Sequence, residues 1–194
     1  MSSPPQHPTA WARTDVPEGM GIGTLLPEPD GFRLEAGETV FAREERFLTR
    51  FTVWTDLAWA TTRVHAEVLS AAGTETVTLQ AQGGHWSDGK GGELRELVGC
   101  LDVDIAATPL TNTLPIRRLG LRPGEHRDIA VVWIDIPSLR IRRVRQRYTR
   151  HHAENGLELY TYRDPLHGEY RISVDGNGVV VDYERFVRRW SPDP

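Results

Sequence analysis

The sequence predicts an all-β, single-domain protein. Three observations carry that prediction: apolar and polar residues alternate with a period of two in several segments, turns rich in glycine separate those segments, and no helical pattern alternates with them. The last point disfavours a parallel α/β architecture. A chain of 194 residues, 39% hydrophobic and 26% charged, suits one globular domain with a sizeable core.

Taken in order, residues 1–10 are rich in Ser and Pro and are expected to form a disordered arm, with the β domain spanning 11–194. Residues 15–38 hold many Gly and Pro and read as irregular, with short strands at best. Over 61–69, Thr62, Val64, Ala66 and Val68 face one way while Arg63, His65 and Glu67 face the other. Over 75–82, Val77, Leu79 and Ala81 alternate with Thr76, Thr78, Gln80 and Gln82. This is the pattern of an antiparallel sheet with one wet face. The short run 93–98 is no more than a turn. Residues 130–136, AVVWIDI, are nearly continuously apolar and read as a central strand. Tyr170, Ile172 and Val174 alternate into Asp175-Gly176-Asn177-Gly178, a hairpin turn leading to the strand 179–183. At the end, Tyr183, Phe186, Val187 and Trp190 have helical spacing and are expected to form an amphipathic turn.

The run 99–119, GCLDVDIAATPLTNTLPIRRL, breaks the pattern. It fits neither period for long, and it concentrates two aspartates, two prolines, a Thr-Asn-Thr triplet and an arginine pair. Such a run is either a site or an ordered turn whose side chains cap their own backbone. Asp102 and Asp104, two apart on a strand, share a face. There they could divide acid and base roles, bind a metal, or simply be solvated. No other ligand is close in sequence, so no metal is expected. Arg117 and Arg118 would point to opposite faces of a strand. One of them could hold an anionic head group or form a buried ion pair with Asp102 or Asp104.

Of the 23 basic residues only Lys90 is a lysine, and the net charge is -4. The segment 139–150, LRIRRVRQRYTR, looks basic, but its apolar residues change phase near Arg142-Arg143. A β-bulge there would gather Arg140, Arg142, Arg143, Arg145 and Arg147 on the wet face, with Tyr148 opposite. Nucleic-acid binding would want aromatics among those arginines, so no nucleic-acid partner is expected. The histidines are scattered and form no zinc spacing. Cys100 is the sole cysteine and reads as a packed thiol rather than a nucleophile. No nucleophile elbow or P-loop is present, and no cofactor is implied. The start carries no secretory signal and no stretch approaches a membrane span, so a cytoplasmic location is expected.

The same run, GCLDVDIAATPLTNTLPIRRL, resembles the signature of a bacterial family of glycolipid-binding proteins. The segments TDLAWATTRVHAEV, GGHWSDG, PSLRIRRVRQRYT and YRISVDGNGVVVDYERF extend the resemblance over most of residues 30–187. The family is similar in fold to periplasmic lipoprotein carriers. The resemblance therefore implies a rolled antiparallel sheet, a spiral roll or half-barrel with little helix, that holds acyl chains. It implies no catalytic residues.

The expected function is non-enzymatic binding of an amphipathic small molecule, a glycolipid or acyl compound, in a concave roll. The residues expected to line or anchor that ligand are Trp59, Arg63, Trp86, Asp102, Asp104, Thr108, Asn112, Arg117, Arg118, Tyr148, Tyr160 and Tyr162. Two alternatives stand beside it. One is an enzyme using Asp102, Asp104 and an arginine on a small polar substrate. The other is an interaction protein using its arginine-rich strand.

Overall fold

The fold is that of a computed structural model, which describes residues 8–165 and 167–191. Its strands are β1 (Thr9–Arg13), β2 (Glu18–Glu28), β3 (Gly31–Phe41), β4 (Arg46–Asp56), β5 (Thr61–Ser70), β6 (Gly73–Gln82), β7 (His85–Asp88), β8 (Asp102–Ile105), β9 (His126–Ile134), β10 (Ile141–Arg150), β11 (Glu158–Asp164), β12 (Gly168–Val174), β13 (Val180–Tyr183) and β14 (Val187–Arg189). All of them join one rolled sheet in the order β7-β6-β5-β4-β3-β2-β1-β14-β13-β12-β11-β10-β9-β8. The fold is thus all-β, and the first and last strands lie side by side in the middle of the sheet. Every pairing is antiparallel except β8 with β9, which is parallel. The roll is not closed into a continuous ladder. Its β8 edge comes back against the start of β5, where Thr61 N–H donates to the Leu101 carbonyl at 2.8 Å and Val103 N–H to Thr61 Oγ1 at 3.2 Å.

The alternation read in the sequence builds the sheet as expected in β5 and β6. Val64, Ala66, Val68 and Leu79 are buried, while Arg63, His65 and Glu67 face outward. Asp175 closes the expected hairpin between β12 and β13 by accepting the Asn177 and Val179 N–H groups on Oδ1. In β9, Val131 and Trp133 pack on one face and Val132 and Ile134 on the other. That double burial explains its unbroken apolar run, although β9 lies one place from the sheet edge rather than at its centre.

Four expectations are corrected. Residues 15–38 are not irregular: β2 and β3 are eleven-residue strands in continuous register. Their glycines are there for space. Gly21 and Gly23 share the inward face, where a side chain on the first would overlap the Glu38 carboxyl and one on the second would press on Leu110. The C-terminal run 183–190 is not helical. Its spacing comes from a tight turn, with Arg185 at φ 56, that joins β13 to β14. No bulge interrupts β10. It pairs with β9 without a break from Ile141 to Thr149, because the face of Val144 and Tyr148 accepts a polar residue, the buried Gln146, and ends at the exposed Arg142, 5.8 Å from the Trp133 ring centroid. The sheet begins at Thr9, two residues before the expected start of the β domain, and residues 1–7 lie outside the described residues.

The segment after β8 enters the roll. A 3₁₀ turn (Leu110–Asn112) runs into the one helix among the described residues, α1 (Thr113–Leu119), which ends at Gly120 in the left-handed conformation. Pro115 fits because the first turn of a helix needs no N–H acceptor. Leu110, Leu114, Ile116 and Leu121 are buried in the main core, with Leu34, Val53, Tyr148 and Ile172 in the same cluster. Each fully buried leucine contributes about 1.5–3 kcal/mol. Thr113 Oγ1 donates to the Gly178 carbonyl at 3.0 Å and ties the plug to the β12–β13 hairpin. The arginine pair is therefore helical. Arg117 and Arg118 are neighbours on the last turn of α1, not on opposite faces of a strand.

Candidate functional site

The plug divides the interior and leaves a polar cavity of about 380 Å³. Asp104 and Thr108 reach it from β8 and the plug, Tyr162 and Asp164 from β11, Trp133 from β9, and His167 from the turn before β12. These residues are linked. Thr111 Oγ1 donates to Asp104 Oδ1 at 3.1 Å, and Gln146 Nε2 donates to Asp104 Oδ2 at 2.5 Å. The same amide nitrogen reaches Tyr162 Oη at 3.0 Å, and Tyr162 Oη donates to Asp164 Oδ2 at 2.8 Å. His167 Nδ1 sits 3.1 Å from Asp164 Oδ2, and its ring stacks on Trp133 with centroids 5.1 Å apart. A continuous chain thus runs from the plug through Asp104, Gln146, Tyr162 and Asp164 to His167.

Burial sets the charge state of this chain. It lifts the Asp104 carboxyl to about 6, and Asp164 nearby adds to the rise, while the Gln146 and Thr111 hydrogen bonds oppose it. Burial also raises the Tyr162, Tyr148 and Tyr183 hydroxyls, so all three stay protonated donors. The Trp133 indole N–H and Gln146 Oε1 are buried without a partner among the described residues. Such orphan groups are rare in folded proteins. The lining also includes Ile105, Ala106, Ile136 and Phe186, alongside the charged side chains of Arg13, Asp15, Asp135 and Arg185. The cavity can therefore take both hydrogen-bonding groups and apolar surface.

Of the residues expected to meet a ligand, Asp104, Thr108, Asn112 and Tyr162 line this cavity. Tyr148 stands behind them, donating to Asn112 Oδ1 at 2.9 Å. Trp59 and Arg117 come together at a different cavity. Asp102 and Arg118 are committed to each other in a forked pair at 2.8 and 2.6 Å, the buried ion-pair alternative. Trp86 is a core residue whose indole donates to the Cys100 carbonyl at 2.8 Å, and Cys100 is packed and buried. Arg63 lies on the outer face, 4.8 Å from the Trp54 ring centroid. Tyr160 donates to Glu158 at 3.0 Å beside Arg150. The expected outer arginine stripe is partly tied down: Arg147 pairs with Asp128 at 2.6 Å and Arg143 donates to the Val98 carbonyl at 3.1 Å.

Sequence reasoning missed Trp133, Gln146, Asp164 and His167 as one constellation. Asp164 and His167 follow Asp104 by about sixty positions, with only the register of β9, β10 and β11 to connect them. The one legible signal was Gln146, a polar residue at the parity of Val144 and Tyr148.

No helix among the described residues is long and apolar enough to cross a membrane. No curated protein matches the chain. It is similar to a DUF1089 family protein of Pseudomonas aeruginosa known from a crystal structure. The two are 32% identical, with a TM-score of 0.77 over 88% of this chain and 92% of that one. It shares the fold of a β-barrel-like DUF1849 protein of Brucella abortus, at 10% identity and a TM-score of 0.52 over 95% of each chain. The model of the family described as "Putative glycolipid-binding" matches residues 9–189, and the chain belongs to that family.

Proposed function

We propose that the protein binds an amphipathic small molecule with a polyhydroxylated head group, without converting it, in the cavity between Asp104 and His167. The observation that carries this reading is the buried Trp133 N–H, without a partner among the described residues, together with the Asp104 and Asp164 carboxylates, aromatic faces and apolar side chains at one cavity. Aromatic rings and oriented acceptors suit the alternating C–H and O–H faces of a sugar, and Ile136 and Phe186 suit the start of an acyl chain. The family description agrees with a glycolipid.

A titration with octyl glucoside and dodecyl maltoside below their micellar concentrations tests it. The melting temperature is expected to rise with the logarithm of concentration above the dissociation constant. His167→Ala, which removes a half-exposed ring from the cavity rim, is expected to weaken binding about tenfold, the size of one lost stacking or polar contact. The absence of any shift in the wild type across both ligands would count against the reading. One feature favours a second reading, an acid–base enzyme acting on the same ligand: the hydrogen-bonded Asp164–His167 pair within reach of Asp104. Asp102, engaged by Arg118, takes no part in it. Release of sugar or fatty acid from a bound glycolipid during incubation would decide for the enzyme.

A further inference from the structure

A second cavity, of about 320 Å³, shares no lining residue with the first. Its wall is aromatic. Trp59 stacks on Phe32 with ring centroids 3.9 Å apart and planes inclined by 14°. Trp59 is held at φ 68 in the β4–β5 hairpin, where the Asp56 carboxylate accepts the Ala60 N–H at 2.9 Å. A bulky residue in the left-handed region is costly, and such residues persist where the surroundings fix them and cluster at ligand sites.

Arg117 reaches over this platform, its guanidinium carbon 5.3 Å from the Trp59 ring centroid. The stem of Arg117 is held by Gly178, where a Cβ would come within 2.9 Å of Arg117 Cδ. The guanidinium is thus positioned, but it is not neutralised. It forms no ion pair among the described residues, and its hydrogen bond to the Gly176 carbonyl is stretched to 3.5 Å. Arg118, the next residue, shows the contrast, since its Nε and Nη2 both donate to Asp102. The carboxylate that lines the cavity, Asp175, does not offset Arg117. Its Oδ1 accepts the Asn177 and Val179 N–H groups, and its Oδ2 pairs with Arg189 at 2.9 Å. What is left is one uncompensated, preorganised positive charge over an aromatic platform, with Leu25, Leu110 and Val179 as apolar lining.

We infer that this cavity is a separate binding site for an amphipathic anion, a carboxylate or phosphate ester carrying an apolar chain. Arg117 takes the oxyanion through its forked N–H donors, and the Trp59–Phe32 stack and the aliphatic wall take the chain. Cation–π contact with Trp59 holds the guanidinium in place without consuming its in-plane donors.

Calorimetric titration of the full chain with octanoate, octyl phosphate and inorganic phosphate tests the site, with the fluorescence difference between wild type and Trp59→Phe as a second readout. Octanoate or octyl phosphate is expected to bind, and the stronger of the two identifies the head group. Arg117→Gln is expected to weaken that binding at least tenfold, with Arg117→Lys intermediate because it keeps the charge and loses the fork. Inorganic phosphate is expected to bind at least tenfold more weakly than octyl phosphate. Failure of both amphiphiles to bind the wild type, unchanged binding by Arg117→Gln, or equal binding of inorganic phosphate would each overturn the inference. The exposed position of Arg117 keeps the variant folded. The alkyl glycoside shift assigned to the other cavity persists in Arg117→Gln, so the two sites can fail separately.

Discussion

Asp102→Ala is expected to destabilise the folded state by roughly 3–5 kcal/mol, the cost of leaving a partly buried guanidinium without its counter-ion. Asp102 has no solvent exposure, and its carboxylate accepts both Nε and Nη2 of Arg118 at 2.8 and 2.6 Å. Burial raises the proton affinity of Asp102, and the guanidinium works against that rise. The pair also fastens the last turn of α1 to β8, so its loss frees the plug. Urea unfolding of wild type and variant measures the difference directly. Replacing both partners with leucine is expected to cost much less than either single change, because no unpaired charge remains. A loss under 1 kcal/mol in Asp102→Ala would show that the pair is solvated in solution.

Glu38→Gln is expected to stabilise the protein at pH 8 and to leave it nearly unchanged at pH 4. Glu38 is buried under Gly21, and neither carboxyl oxygen meets hydrogen-bond geometry with any described group. Burial pushes its carboxyl from 4.5 up to about 7, with Thr108 and Arg13 relieving only part of the cost. Each tenfold change in proton affinity is worth about 1.4 kcal/mol, so this rise penalises the ionised form by about 3 kcal/mol. The sign follows from linkage. Below pH 4.5 the group is protonated in both folded and unfolded states, and the folded state loses nothing. Between pH 4.5 and about 7 the unfolded chain has released its proton while the folded chain still holds it, so stability falls across that window and levels off once the folded chain ionises too. Glutamine never ionises, so the variant's advantage should grow over that window to about 3 kcal/mol. Chemical denaturation of both proteins at pH 4, 6 and 8 checks this, and a difference that does not vary with pH would contradict it.

The parts of this fold that were legible in the sequence are those where one face is wet. The alternation in β5 and β6 and the Asp-Gly-Asn-Gly hairpin follow from period two and turn chemistry, and both are present. The parts that were not legible depend on contacts distant in sequence. β2 looks like a loop because Gly19, Gly21 and Gly23 carry no pattern. Their reason is Arg13 and Thr39 at Gly19, the Glu38 carboxyl at Gly21 and Ala36 with Leu110 at Gly23, groups that arrive from elsewhere in the chain. The β13–β14 turn mimics a helix because Arg185 adopts a conformation that arginine does not advertise. The run 99–119 announced itself as irregular but not as a plug, since a seven-residue helix with a proline at its third position has too little periodicity to declare itself. The site divides the same way. Asp104 and Asn112 stood out locally, whereas Asp164 and His167 become neighbours of Asp104 only through the register of four strands. Gln146, which joins the two halves, sits among the arginines of β10 and shows itself only by sharing the parity of Val144 and Tyr148.

Whether the protein carries an amphipathic ligand is read by native mass spectrometry of the wild-type protein purified from cells without detergent, followed by extraction and identification of any bound lipid. A one-to-one complex with an amphipathic, sugar-bearing molecule is expected, together with displacement of that molecule by excess dodecyl maltoside. Spectra showing only the bare chain in repeated preparations, with no complex formed on adding alkyl glycosides, would contradict it.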